Sequence, residues 1–254
     1  APLLIVHVST REGAALVQNA RAQGAKIYGE TCPQYLFLTR EDMDRPGMDG
    51  AALMCSPPLR DSATQDALWS HIQQGTFDVV SSDHSPYRMD ETGKLANGPD
   101  APFTVIANGM PGIGARLPML FSEGVGKGRL TLQDFVALGS TNAARLYGLL
   151  PRKGTLGIGS DGDIAIWDPD AKGRISAGNQ HDNAGYSPFE GFEVTGLPTT
   201  VLSRGARIVE DGRLQAKPGR GQFLARDKFD AGTRRGYRAA EFDPARNFGV
   251  DIAP

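Results

Sequence analysis

The chain has 254 residues, a formal net charge of -2, and nearly balanced numbers of basic and acidic side chains, 27 and 29. This balance favours neither nucleic acid nor an anionic membrane surface as a partner. Its 2 cysteines are too few for a disulfide framework and are typical of a reducing compartment, so we expect a cytoplasmic protein. The length allows a sizeable core and one or two domains.

Predicted strands and helices alternate along residues 1–153. Ser9 or Thr10 can cap the first helix, and Gly24 and Gly75 follow the first two helices at the position where glycine ends a helix. The order strand, helix, strand, helix, strand predicts right-handed crossovers and a parallel sheet. The predicted strands cover 3–6, 26–31 and 77–82, with an extended stretch at 53–56, and the predicted helices cover 10–22, 62–74, 113–125, 132–138 and 141–147.

The opening run Leu3 to Val6 is continuously apolar, which is typical of a parallel strand buried on both faces. Such a strand needs a neighbour on each side, and only one neighbour can come from the next strand along the chain. It is therefore either an edge strand or part of a larger barrel whose earlier strands lie outside this sequence. We favour the second interpretation.

From residue 154 the hydrophobic period changes to two, which predicts antiparallel strands at about 159–168, 199–203, 207–210 and 213–216. Arg204-Gly205 and Asp211-Gly212 are candidate hairpin turns. We therefore predict a first domain at 1–153, antiparallel strands at 154–222, and a charged tail at 223–254 that crosses the surface or a subunit contact. A long loop at 85–107 separates the third strand from the later helices and is a candidate functional segment.

Two predicted strands are each followed by a polar residue that can bind a metal. His7 follows the first strand and Asp83 follows the third. In a parallel β/α barrel the carboxyl ends of the strands carry the chemistry, and histidine and aspartate are suitable ligands for a divalent ion. Two ligands do not close a site, so the others lie elsewhere in this chain or in a part of the protein that it lacks.

Several short segments, in this order, resemble the C-terminal half of the dihydropyrimidinase and hydantoinase family, cyclic-amide hydrolases of the amidohydrolase superfamily. The resemblance covers nearly the whole chain, least securely the last thirty or so residues. The matching segments are His-Val-Ser at 7–9, Gly-Glu-Thr-Cys-Pro-Gln-Tyr-Leu at 29–36, Cys-Ser-Pro-Pro-Leu-Arg at 55–60, Ser-Asp-His at 82–84, Ala-Asn-Gly at 107–109, Ser-Thr-Asn-Ala-Ala at 140–144, Lys-Gly at 153–154, Gly-Ser-Asp-Gly-Asp-Ile at 159–164, Phe-Glu-Gly at 189–191 and Ser-Arg-Gly at 203–205.

The resemblance implies a (β/α)₈ barrel with a β-sandwich built from both ends of the chain. This chain would supply the last three barrel strands within 1–153, and the C-terminal sandwich strands with a return segment to the barrel within 154–222. The family's centre holds two divalent ions, commonly zinc, with a His-x-His pair, a further histidine and a carboxylated lysine. No His-x-His occurs in this sequence. Those ligands would belong to an N-terminal segment or chain that completes the barrel, and the family is usually tetrameric, so we expect a homo-oligomer.

The resemblance also assigns roles to individual residues. His7 would bind a metal, and Asp83 would bind a metal and serve as the general base. Ser56 and Asn108 would hold a small cyclic amide substrate. The reaction implied is hydrolysis of dihydropyrimidines or hydantoins to N-carbamoyl amino acids.

Plainer roles stay open for some of these positions. Ser56 is also consistent with a kink before two prolines, and Asn108 with a turn before glycine. His84 is as consistent with a structural role as with steadying the site. We predict buried, unreactive thiols at Cys32 and Cys55 and a structural ion pair at Arg60. The other assignments are turn residues at Asp161, Asp163 and Asp168 and a pocket for the substrate's exocyclic group at Tyr87 and Phe103.

Four alternatives remain open. Allantoinase is disfavoured by Gln34, where allantoinases usually carry histidine, and dihydroorotase by the lack of a basic residue near Asn108 to bind a substrate carboxylate. A non-catalytic scaffold homologue would have no need of His7 and Asp83. A stable fragment without a function of its own is the remaining possibility.

Overall fold

The computed structural model describes residues 1–227; the predicted tail at 223–254 therefore lies mostly outside the described residues. The α/β class is confirmed. Seven strands are present in this part: β1 Leu3–Ile5, β2 Ile27–Thr31, β3 Val79–Val80, β4 Ile164–Arg174, β5 Glu193–Ser203, β6 Ala206–Glu210 and β7 Arg213–Leu214. The α-helices of the same part are α1 Arg11–Ala22, α2 Pro33–Phe37, α3 Ser62–Gln73, α4 Ile113–Leu120, α5 Leu132–Val136 and α6 Asn142–Leu146.

The first sheet is parallel, with the order β1-β2-β3. Leu3 pairs with Ile27 in the first ladder, and Thr31 pairs with Val80 in the second. The third strand is shorter than the predicted 77–82, although the Ser81 amide still donates to the Thr31 carbonyl at 3.0 Å. All three strands therefore end at the same edge of the sheet.

The two long helices begin where polar side chains cap them. The Thr10 hydroxyl accepts the Gly13 amide at 3.0 Å before α1. The Asp61 carboxylate accepts the Thr64 amide at 2.9 Å before α3. Each cap pairs an amide that a helix start would otherwise leave unpaired. The inward faces of these helices are buried through Ala14, Val17, Leu68, Trp69 and Ile72, and the two helices contact each other.

The later helices are continuous where the sequence predicts them but change their winding. A π-helical segment, Phe121–Val125, extends α4, and a second one, Ala137–Thr141, joins α5 to α6. Residues 53–56 form no strand in the described chain; a 3₁₀ turn, Asp49–Leu53, ends at the start of this stretch. Met54 is extended, but the stretch runs into Pro57 and Pro58, which cannot continue a ladder.

The second sheet is antiparallel, with the order β4-β5-β6-β7. Its hairpin turns are confirmed, because Arg204-Gly205 and Asp211-Gly212 both have positive φ at both positions, as a tight two-residue hairpin requires. The first strand differs from the prediction of alternating exposure at 159–168. It begins at Ile164 and is exposed along most of its length, because it is the outer strand of the described sheet.

Aromatic side chains join the antiparallel sheet to the helices. Trp167 on β4 stacks on Phe121 with ring centroids 5.0 Å apart, and Phe135 meets Trp167 edge-on at 5.4 Å. The Thr195 amide on β5 donates to the Ser122 hydroxyl at 3.0 Å. Across residues 1–227, no helix combines the length and the apolar character that crossing a bilayer demands.

Candidate active site

His7 and Asp83 lie just beyond the carboxyl ends of β1 and β3, and both have left-handed backbones, with φ of 42° and 47°. This conformation is uncommon for residues other than glycine and costs about 1–3 kcal/mol outside a suitable turn. Neither residue lies in a hairpin. Strained backbone of this kind concentrates at functional sites, so the geometry marks both positions as candidates.

The two residues belong to the same edge of the parallel sheet, with β2 between their strands. Two strand spacings separate the backbones by roughly 10 Å, a distance that side chains on a shared metal centre can bridge. His7 is half-buried and Asp83 is exposed. Within residues 1–227, neither side chain has a hydrogen bond or ion pair. Both are therefore free to bind a ligand.

The donor set fits part of a divalent metal centre. An imidazole and a carboxylate are normal ligands of zinc, but the described residues contain no group of three or more candidate ligands. A metal-binding histidine also needs an acceptor for its second ring nitrogen, and His7 has none in this part of the chain. The described residues therefore supply two candidate ligands, and a complete metal centre would need more.

Ser56 and Asn108 come together although 52 positions separate them in sequence. The Asn108 side-chain amide donates to the Ser56 hydroxyl at 2.6 Å. The neighbouring Gly109 amide donates to the Met54 carbonyl at 3.0 Å, which ties the two loops a second time. Both predicted substrate-binding residues are exposed, and both lie where a ligand can reach them.

Tyr35 supports this pair, and sequence reasoning did not single it out. Its hydroxyl donates to the Pro57 carbonyl at 2.8 Å, and the Cys55 thiol donates to the same carbonyl at 3.2 Å. Tyr35 lies within the family-like stretch at 29–36, which was the available signal. Its contact fixes the loop that carries Ser56.

The two cysteines are buried and free, as predicted. Burial raises the pKa of Cys55 to about 11 and the pKa of Cys32 further, and the negative charge of Asp83 adds to both effects. Thiols with raised pKa values stay protonated near neutral pH and are poor nucleophiles. The electrostatic influence of Asp83 also indicates that its carboxylate lies near these two side chains.

His84 has a structural contact. Its Nδ1 accepts the Gly112 amide at 3.1 Å and the Ile113 amide at 3.3 Å, at the start of α4. The predicted ion pair of Arg60 is wrong: its guanidinium instead reaches the Ser9 hydroxyl at 3.4 Å. A hydroxyl near a guanidinium gives a weak polar contact, because it carries no opposite charge.

Acidic residues of the antiparallel region have structural partners. Asp161 and Asp163 both pair with Lys153, and Asp168 accepts the Asp170 amide at 2.9 Å. These contacts agree with the predicted turn roles. Tyr87 and Phe103 are 40% and 74% exposed, and their role in shaping a substrate pocket stays a prediction.

Comparison with known proteins decides the family. The model of the amidohydrolase family matches residues 6–208 of this chain. The chain belongs to the amidohydrolase family. These enzymes generally depend on divalent metals, which agrees with the His7 and Asp83 donor set.

Relatives of this amidohydrolase chain include several named hydantoinases. It is 42% identical over 229 residues to a D-hydantoinase of Geobacillus stearothermophilus, covering 90% of this chain and 48% of that protein. It is 44% identical to a D-phenylhydantoinase of Escherichia coli O1:K1, covering 90% and 49%. The chain thus spans about half the length of the curated relatives it matches.

Solved structures similar to this chain also include hydantoinases and dihydropyrimidinases, and the chain covers about half of each. A D-hydantoinase from Bacillus sp. AR9 superposes with a TM-score of 0.87 at 44% identity, covering 91% of this amidohydrolase chain and 50% of that structure. A dihydropyrimidinase from Brevibacillus agri NCHU1002 gives a TM-score of 0.87 at 42% identity, covering 91% and 49%. An inactive dihydroorotase-like domain from Chaetomium thermophilum is 24% identical with a TM-score of 0.60, which shows a shared fold alone.

Proposed function

We propose that this chain is roughly the C-terminal half of a metal-dependent hydrolase that opens the cyclic amide of hydantoins or dihydropyrimidines to give N-carbamoyl amino acids. The observation that carries the proposal is the common edge of the parallel sheet. His7 and Asp83, both left-handed and unpaired within the described residues, are presented there. The similarity to named hydantoinases supports the choice of substrate class.

His7 and Asp83 would hold the metal, which we propose is a pair of zinc ions. When bound, the ions would activate water and polarise the ring carbonyl. The ligands that this sequence lacks, a His-x-His pair, a further histidine and a carboxylated lysine, would come from an N-terminal segment. The edge position of β1 in the described sheet supports that arrangement, because Leu3 in the strand is 53% exposed and Val6 directly after it is 40% exposed.

Asp83 would act as the general base. Its Oδ atoms would accept a proton from the attacking water and deliver it to the ring nitrogen as the amide bond breaks. A carboxylate suits both steps because its oxygens can accept a proton and give it up again, and Asp83 has no competing hydrogen bond or ion pair in the described chain. The product is an N-carbamoyl amino acid, since the carbonyl flanked by two ring nitrogens keeps both of its bonds to nitrogen.

Ser56 and Asn108 would recognise the ring. A cyclic diamide presents alternating N–H and C=O groups, which backbone groups of the opposite kind can bind. The Asn108 amide and the Ser56 carbonyl have no hydrogen-bond partner among residues 1–227. The contact between the two side chains, at 2.6 Å, would hold both backbones in place for this recognition.

The proposed architecture follows the family. Residues 1–153 would complete a (β/α)₈ barrel with the N-terminal segment, and residues 154–222 would join N-terminal strands in a β-sandwich. We further propose a cytoplasmic homo-oligomer of four subunits, as is usual for the family. The tail expected at the subunit contact lies mostly beyond the described residues.

The test uses the complete protein that contains this chain. Purified with zinc, it should hydrolyse hydantoin or dihydrouracil and contain stoichiometric metal. Asp83→Asn should abolish turnover. Asp211→Asn is the control: Asp211 has the same backbone conformation but lies in a hairpin turn of the antiparallel sheet, so its replacement should leave turnover unchanged. A protein with no metal and no hydrolysis would instead be the scaffold homologue, and normal turnover in Asp83→Asn would exclude the assigned general base.

A further inference from the structure

Lys94 is a buried charge within the long loop at 85–107. Only 1% of its surface is exposed. Its ammonium donates to the Ala107 carbonyl at 2.9 Å, and it has no ion pair with any described carboxylate. Burial lowers the pKa of Lys94 to about 8. Burying an ammonium costs free energy unless other interactions offset its loss of hydration. The carbonyl that Lys94 binds belongs to the residue immediately before Asn108.

The geometry of one peptide links Lys94 to the site. The bond between Ala107 and Asn108 is trans, since the cis bonds of the described chain lie elsewhere. In a trans peptide the carbonyl and the next amide point in opposite directions. With the Ala107 carbonyl directed at the buried Lys94, the Asn108 N–H is directed away from the interior. It has no acceptor among residues 1–227.

Other contacts hold Asn108 but do not involve the peptide group between Ala107 and Asn108. The side chain of Asn108 binds Ser56, and the Gly109 amide binds the Met54 carbonyl. Gly109 has a φ of 142°, and a Cβ there would lie 2.5 Å from the Ser85 hydroxyl. These contacts position Asn108 and Gly109. Among the described residues, it is the Lys94 ammonium that binds the Ala107 carbonyl.

We propose that Lys94 is a positioning residue for substrate, which aims the Asn108 N–H at the ring carbonyl that is not attacked. The inference rests on the proposed function. Lys94 does not touch the reacting atoms; its ammonium orients a neutral donor that does. The group recognised is a carbonyl flanked by two ring nitrogens, as in a hydantoin or a dihydropyrimidine.

The experiment is kinetic and uses the complete protein. Lys94→Met keeps the length of the side chain and removes its donors. Its KM for dihydrouracil should rise by about tenfold while kcat changes little, because the contact serves the bound substrate and the transition state alike. Lys172→Met, an exposed lysine on β4, is the matched control and should leave both constants unchanged. An unchanged KM in folded Lys94→Met would overturn the proposal.

A second substrate distinguishes a misdirected Asn108 N–H from a general weakening of substrate binding. In dihydro-2-thiouracil the unattacked carbonyl becomes a thiocarbonyl, which is a weaker acceptor. The wild-type protein should show a higher KM for the thio compound, and Lys94→Met should show a much smaller difference between the two substrates. Equal differences in both proteins would overturn the assignment.

The remaining outcomes are also decisive. If Lys94→Met loses its cooperative thermal transition, Lys94→Gln replaces it; a folded Gln variant should show a severalfold higher KM, and wild-type KM there would overturn the proposal. Failure of the wild-type protein to hydrolyse any cyclic amide would overturn the proposed function itself. Normal wild-type turnover with an unaffected Lys94→Met would overturn only the role of Lys94.

Discussion

The parallel and antiparallel sheets each contain two left-handed residues that are not glycine, for different reasons. In the antiparallel sheet Arg204 and Asp211 each precede a left-handed glycine, so a two-residue hairpin accounts for the conformation. In the parallel sheet His7 and Asp83 precede Val8 and His84, and no hairpin is present. The same φ is ordinary turn geometry in one region and a marker of a candidate site in the other.

The polar side chains of the two regions differ in the same way. Asp163, near the antiparallel sheet, binds Lys153 and also accepts the Arg204 amide at 2.8 Å. His7 and Asp83 have no such partners within the described chain. Polar groups with partners stabilise a turn, whereas those without partners at a strand end are available for a ligand.

The largest expected difference between the two regions comes from replacing one left-handed aspartate in each of them by glycine. Asp83→Gly and Asp211→Gly both remove the cost of a left-handed residue, so neither should lower the thermal midpoint. Hydrolysis by the complete protein should fall by about a thousandfold or more in Asp83→Gly, because a general base is lost, and should be unchanged in Asp211→Gly. Measured kcat/KM values that fall equally in both variants would contradict the distinction.

A steric change should separate stability from activity in the antiparallel region. Gly196 has a φ of 92°, and a Cβ there would lie 2.1 Å from the Phe121 ring. Gly196→Ala should therefore cost about 3 kcal/mol of the free energy of unfolding, through strain and displaced packing. Denaturant titration measures this loss, and the folded variant should retain its KM.

Gly205→Ala is the matched control, because Gly205 also has positive φ but nothing lies within 4 Å of its added Cβ. It should lose only about 1 kcal/mol. Equal losses at the two glycines would show that conformation, and not the contact with Phe121, determines the cost.

The stability of the loop around Lys94 should depend on pH. The folded-state pKa of Lys94 is lowered to about 8 from 10.5, so the unfolded chain binds more protons between these values. Stability should therefore rise with pH across that window, and the burial penalty should be fully present below about pH 8. Subtracting the pH profile of thermal midpoints for Lys94→Met isolates this contribution, and identical profiles would contradict it.

The smallest expected effect concerns a hydroxyl. Ser56→Ala removes the acceptor of the Asn108 side chain, which should raise KM by about fivefold, the value of a neutral hydrogen bond of about 1 kcal/mol. Ser160→Ala removes a comparable hydroxyl, whose contact with the Pro151 carbonyl is 2.7 Å and lies away from the site. Only the first variant should alter KM in steady-state assays.

Local patterns predicted much of the fold. Helix α1 follows its threonine cap, α3 begins at the predicted Ser62, and both hairpin turns occur at the predicted pairs. The predicted third strand was too long, because ladder pairing depends on neighbours that local sequence does not specify. His7 and Asp83 were placed at strand ends by their position after apolar runs, and their metal-binding roles stay predictions.

Caps, turns and hydrophobic periods act over a few neighbouring residues, so the elements that depend on them could be predicted from the chain. Which distant loops meet depends on the packing of the whole fold. The contact between Ser56 and Asn108, the support from Tyr35 and the burial of Lys94 all depend on chain crossings set by the sheet and its helices. A lysine in a polar loop looks exposed in sequence, because burial is a property of what packs around it.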